Sequence, residues 1–213
     1  MTIEFNHVVP VPLQGYPHAA QSVWMNQFTL NFPSTIFLNA HSGKGKTTFA
    51  GILYGVRHDY TGDVLFDGKN IRSFSLHDWI LLRQNKLSII FQDLQLFGDL
   101  TALENLLLKN ALTNHSERNK IENMMEKLGL GDKKNQTCRT LSLGQQQRVA
   151  IIRALLQPFD LLIMDEPFSH LDDQNSQLAM EMILEVTNQN KGGLLMTTLG
   201  NKYGIEPDTE LVL

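Results

Sequence analysis

The chain has 213 residues, 42% of them hydrophobic and 19% charged, with a formal net charge of −4. That is enough apolar material for one large domain, or for a core carrying one inserted subdomain. Lysine and arginine cluster no further than Lys133-Lys134, so no basic stripe invites nucleic acid. The single cysteine, Cys138, excludes an internal disulfide and a cysteine-based metal cluster and fits a reducing compartment. No apolar run approaches the ~20 residues that span a bilayer, and Met1-Thr2-Ile3-Glu4-Phe5 lacks a signal-peptide pattern. The expectation is a cytoplasmic protein that meets any membrane through a partner.

In chain order, the alternation Phe28, Leu30, Phe32 predicts a half-buried strand closed by Pro33, and Ile36-Phe37-Leu38 a short apolar strand. A helix is expected over 47–54 with Gly55 as its cap, then a strand Val64-Leu65-Phe66 turning at Asp67-Gly68. Ser75-x-x-Asp78 opens a helix, and 87–91 is a strand that ends at Gln92. From about 95 to 141 the chain reads as mainly helical. Thr101-x-x-Glu104 has the capping-box pattern, and Ile121, Met124, Met125 and Leu128 recur at helical spacing before Gly129. Ser142-x-x-Gln145 opens a long helix that stops before Pro158. The runs Leu161 to Met164 and Leu194 to Met196 are continuous and apolar, as buried parallel strands are, and Leu211-Val212-Leu213 is a final strand. Strands alternating with helices predict an α/β doubly wound core interrupted by a helical insertion.

Between a predicted strand and a predicted helix lies His41-Ser42-Gly43-Lys44-Gly45-Lys46-Thr47-Thr48. A glycine-rich turn in that setting presents backbone N–H groups and a helix N-terminus to phosphate. Lys46 is placed to bridge the β- and γ-phosphates and the Thr47 hydroxyl to ligate Mg²⁺. The pattern wants a glycine at position 40, where this chain has Ala40. If that position needs a left-handed backbone, alanine costs roughly 1–2 kcal/mol. Micromolar binding is worth about 8 kcal/mol, so the substitution weakens binding without abolishing it.

Asp165-Glu166 ends an apolar strand, which aims both carboxylates at the sheet's carboxyl edge, and Pro167 biases Glu166 toward an extended conformation. Asp165 is placed to hold Mg²⁺ through water and Glu166 to polarise the attacking water.

Leu141-Ser142-Leu143-Gly144-Gln145-Gln146-Gln147-Arg148-Val149 resembles the signature sequence of ATP-binding cassette (ABC) proteins. Ser169-His170-Leu171-Asp172 resembles the family's D-loop, Phe91-Gln92 its Q-loop, and Leu100 to Asn105 the stretch that follows it. The resemblance runs from about residue 36 to the end. It implies a P-loop NTPase (RecA-like) core with a mainly parallel sheet over about 1–94 and 142–213, an N-terminal antiparallel β region, and a helical subdomain over about 95–141. It further implies an ATP-hydrolysing subunit that binds ATP and Mg²⁺ and pairs head to tail with a second cassette. In that pairing Ser142, Gly144 and Gln145 of one copy meet the nucleotide on residues 41–48 of the other. A separate transmembrane permease is the expected partner, placing the chain on the inner face of the cell membrane. Gln92 would sense Mg²⁺ and the γ-phosphate, with 91–97 near the permease, and Tyr16 rather than Trp24 would stack on adenine.

Two further positions depart from the family. Leu143 replaces a usual signature glycine, and Thr198 occupies the place of a switch histidine. Losing one transition-state contact of that kind costs about 100- to 1000-fold in rate, so slow hydrolysis by Glu166 is expected. His170 offers the nearest other imidazole and reads as a passive D-loop residue. The alternative reading is an ATP-gated dimerising clamp with little hydrolysis. A soluble P-loop kinase has no use for the 141–149 signature, and DNA-repair cassettes carry long insertions absent here.

Overall fold

The computed structural model describes residues 1–41 and 43–213. Strand β1 (Thr2–Pro10) pairs antiparallel with β2 (Gln27–Asn31). Then come β3 (Thr35–Asn39), α1 (Lys46–Leu53), β4 (Tyr60–Phe66), the two-residue β5 (Lys69–Asn70), α2 (Leu76–Asn85) and β6 (Leu87–Ile90). The helices α3 (Ala102–Asn110), α4 (Arg118–Lys127) and α5 (Leu143–Leu155) precede β7 (Leu161–Asp165). The chain closes with α6 (Asp173–Asn190), β8 (Gly193–Thr198) and β9 (Thr209–Val212).

Two sheets result. One is antiparallel with order β2-β1-β4-β5; the other runs β6-β7-β8-β3-β9, with every neighbour pair parallel. The period-2 alternation of side chains divides the parallel strands between two cores. Ile36, Leu38, Leu87, Ile89, Leu161, Ile163 and Leu195 face a core shared with α1, α2 and the antiparallel sheet. Phe37, Ile90, Leu162, Met164, Leu194 and Met196 face the opposite core, built with α3, α4, α5 and α6. Burial on both faces explains why these strands read as unbroken apolar runs.

The capping boxes at Ser75/Asp78, Thr101/Glu104 and Ser142/Gln145 are all formed. Helix α1 begins one residue earlier than predicted and is followed by Gly55 in the left-handed region, at φ +72°. The predicted strand at Phe28 ends at Asn31, and the final strand begins at Thr209. Trp24 sits in a turn. It is buried, with its indole N–H donating to the Lys44 carbonyl at 3.2 Å and its ring against Phe49.

Because Ile163 is fully buried in the strand that carries the carboxylate pair, Ile163→Ala is expected to cost about 2–5 kcal/mol of stability, read by denaturant unfolding. A loss below about 1 kcal/mol would contradict the assignment of this strand to the sheet interior.

Candidate functional site

The parallel register sets Asp165 of β7 beside Thr197 of β8, and Thr198 beside Asn39 of β3. Three strands therefore end together, and the 41–48 loop leaves the last of them. Gly43 and Gly45 hold φ +79° and +100°, a region costly for side-chain-bearing residues. Ala40 is not among the described residues with positive φ, so the penalty anticipated for alanine does not arise. Ser42, predicted to bind phosphate, lies outside the described residues. Lys46 opens α1 and is 6% exposed; its Nζ donates to the Ala40 carbonyl at 2.9 Å and pairs with Glu166 Oε1 at 3.0 Å.

Glu166 has φ +48°, a left-handed backbone and not the extended one expected from the following Pro167. The conformation is strained for a glutamate, at about 1–3 kcal/mol. Its support comes from β8. The Glu166 N–H donates to Thr197 Oγ1 at 3.1 Å, and the Thr197 hydroxyl donates to Asp165 Oδ1 at 2.7 Å. Burial pushes the Asp165 carboxyl above the ordinary carboxylate range, and the Glu166 charge adds to this. Hydrogen bonds from Thr197 and Thr47 and the charge of Lys46 oppose it.

The Thr47 hydroxyl donates to Gln92 Oε1 at 3.1 Å. Thr47, Gln92, Asp165 and His170 line one cavity of about 550 Å³. Gly43, Gly45, Lys46, Thr47, Thr48, Gln92 and Glu166 line a second, of about 410 Å³. Tyr16, 65% exposed, lines a third of about 380 Å³ with His18, Trp24, Gly43 and Lys44. The donor set fits Mg²⁺: a hydroxyl, an amide carbonyl and one carboxylate, all oxygen, with room for phosphate and water oxygens. Among the described residues no group of three or more His, Cys, Asp or Glu side chains is placed to hold a metal.

A family model described as "ABC transporter" matches residues 26–169. The lipoprotein-releasing system ATP-binding protein of Buchnera aphidicola (subsp. Schizaphis graminum) is 36% identical over 165 residues, 76% of this chain and 72% of that one. The chain belongs to the ABC transporter family. It is an ATP-binding subunit of that family. An uncharacterized ABC transporter ATP-binding protein of Mycobacterium tuberculosis is 34% identical over 179 residues, 82% of this chain and 72% of the relative. The fold is that of the dimeric structure of a bacterial ABC transporter cassette, with a TM-score of 0.83 at 21% identity, over 99% of this chain and 94% of that one.

Within this ABC subunit the predicted residues divide into two groups. Lys46, Thr47, Thr48, Gln92, Asp165 and Glu166 gather around the loop, with Gly43, Lys44 and Gly45 in it, Tyr16 at its flank, and His41 exposed at its start. Ser142, Gly144 and Gln145 line none of these three cavities. Ser142 and Gln145 cap α5, with the Ser142 N–H donating to Gln145 Oε1 at 2.9 Å, and Leu143 is 56% exposed. A Cβ on Gly144 would lie 2.8 Å from the His170 carbonyl, so glycine lets this helix sit against the D-loop. Thr198 is buried, and its hydroxyl accepts from the N–H groups of Gly200 and Asn201 and donates to the Asn201 carbonyl. It closes a turn.

Two supporting residues escaped the sequence reading. Thr197 holds both carboxylate residues, and its only signal was a threonine at the edge of an apolar strand. Gln147, fully buried, accepts from the His170 N–H at 2.8 Å and donates to the Glu166 carbonyl at 3.4 Å. A glutamine on the buried face of an amphipathic helix was the available signal.

Thr197→Val keeps the shape and removes the hydroxyl. It is expected to cost about 1–3 kcal/mol, because it strips partners from a buried carboxylate and an N–H. The Thr197 hydrogen bond favours ionised Asp165, so that part of the loss is present at neutral pH and fades as pH falls through the raised Asp165 pKa. Unfolding at several pH values checks this; a pH-independent loss would remove Asp165 from the account.

Proposed function

We propose that the chain binds and hydrolyses ATP at a head-to-tail interface between two cassettes, and so drives transport through a separate membrane subunit. The observation that carries this reading is the convergence of Lys46, Thr47, Gln92, Asp165 and Glu166 at one sheet edge while Ser142 lines neither of the cavities they form. An anion site without phosphate-loop neighbours in its own chain is what a two-fold pair would complete.

In this mechanism Tyr16 stacks on the base and the N–H groups of the 41–48 loop hold the phosphates. Thr47, Gln92 and Asp165 would hold Mg²⁺, which would supply neutralising charge to the phosphate oxygens. Lys46, paired with Glu166, is drawn to the β- and γ-phosphates, and Glu166 then accepts a hydrogen bond from the attacking water. The water oxygen bonds to the γ-phosphorus as the bridging oxygen leaves with ADP, and the water proton passes to Glu166. With the Thr198 hydroxyl committed to a turn, no imidazole stands at the switch position, and turnover is slow. The helical segment over about 95–141 and the neighbouring 91–97 face the membrane subunit. The chain thereby sits at the inner face of the membrane, and among the described residues no helix is long and apolar enough to cross it.

The alternative, a clamp that dimerises on ATP with little hydrolysis, is favoured by the same Thr198. ATP turnover against protein concentration, with Mg²⁺ and Glu166→Gln as background, separates the two. The proposal expects a specific rate that climbs with concentration and falls by at least about 100-fold in the mutant. A wild-type rate equal to the mutant's would favour the clamp.

A further inference from the structure

Helix α1 carries a glycine in its interior, Gly51, where glycine is less stable than alanine. Gly51 is not among the glycines with positive φ, so its backbone does not call for one. A Cβ there would lie 2.7 Å from Arg57 Cγ. Glycine at 51 therefore lets the stem of Arg57 lie against α1. The N–H groups of Val56 and Arg57 both donate to the Gly51 carbonyl, at 2.9 and 3.1 Å, which fixes where that stem begins. From there Arg57 lines both cavities shared by Thr47 and Gln92. Among the described residues Arg57 and Lys46 are the only Lys or Arg side chains on either lining. Arg57 is paired with Asp59: its Nε donates to Oδ1 at 2.8 Å and its Nη2 to Oδ2 at 2.6 Å. The two side chains are 42% and 45% exposed, so water competes for both and the pair is weakly held. The carboxylates of the two cavities have other partners: Asp165 has Thr197, Glu166 has Lys46, and Asp93 has Gln95.

We propose that Arg57 is a second phosphate-binding cation, which exchanges Asp59 for the terminal phosphate oxygens of the nucleotide. This rests on the reading of the 41–48 loop as the nucleotide site and adds a residue from the connection between α1 and β4. The planar guanidinium presents the same two-pronged fork to phosphate as to the Asp59 carboxylate, and the phosphate carries more charge. The exchange replaces a solvent-exposed pair with a contact inside a cavity, where charge is screened less. Gln92 and Glu166, which act at the terminal phosphate in the proposed mechanism, line the same cavity, so ATP gains more from Arg57 than ADP does. Asp59 is then a latch that holds the arginine until nucleotide arrives, and Gly51 keeps its path along α1 clear.

Calorimetric titration of ATP and of ADP, each with Mg²⁺, into the Glu166→Gln background tests this without turnover. Adding Arg57→Gln is expected to weaken ATP binding by about 10- to 100-fold and ADP binding by less than about threefold. Adding Asp59→Asn instead releases the guanidinium, and ATP is expected to bind as tightly as in the background or more tightly. That opposite response separates a phosphate contact from a structural ion pair, whose loss would act alike in both variants. ATP affinity unchanged in Arg57→Gln, or weakened equally by Arg57→Gln and Asp59→Asn, overturns the proposal. Lys46→Ala tells which reading has failed. If it loses ATP while Arg57→Gln does not, the loop site stands and Arg57 is removed from it. If Lys46→Ala also binds ATP as the background does, the loop reading falls with the proposal.

Discussion

The ion pair between Lys46 and Glu166 is the constraint around which the site is arranged. Its 3.0 Å contact joins the first turn of α1 to the residue that follows β7, with β8 lying between β7 and β3 in the sheet. Lys46 is 6% and Glu166 19% exposed, so removing either partner strands a poorly hydrated charge, at a cost of several kcal/mol. The pair forms only if all three strands end at one level. The parallel register and the two apolar cores on either face of the sheet secure that level. The placement of this pair follows from packing.

Around the pair, each polar group is held by a specific neighbour. Thr197 ties Asp165 to the backbone of Glu166, which sustains a left-handed conformation that a glutamate does not choose by itself. Gln147 reaches from α5 to the Glu166 carbonyl and to the N–H of His170, which ties this helix to the segment that follows β7. Thr47 and Gln92 bind each other across the neighbouring cavity, and Arg153 fixes the chain just beyond Gln92. A connected path of hydrogen bonds and short backbone segments thus runs from the phosphate loop to Arg153 in the last turn of α5.

What the sequence disclosed and what it hid follow the range of the forces involved. The capping boxes at Ser75, Thr101 and Ser142 involve residues three apart and were legible at once. The apolar runs at 161–164 and 194–196 announced strands buried on both faces. Strand β1 was expected only as part of an unspecified antiparallel region. Its alternation at Ile3 and Phe5 breaks where the pairing with β4 shifts register between Asn6 and Val9, with His7 at φ +51°. The role of Thr197 depends on which residue of β7 lies opposite, a fact of tertiary register that no local pattern carries. The expectation for Glu166 failed for the same reason: the preference imposed by Pro167 is local, and contacts from β8 and α5 override it.

The same division separates the phosphate loop from the helix start at Ser142. One copy of the chain holds the phosphate loop with its carboxylates and, elsewhere, the exposed helix start at Ser142. On the proposed reading a second copy brings them together. Sedimentation of Glu166→Gln with Mg²⁺ and either ATP or ADP tests this most directly. The composite site predicts a dimer with ATP and a monomer with ADP. A monomer in both nucleotides, or a dimer indifferent to which is bound, would contradict it.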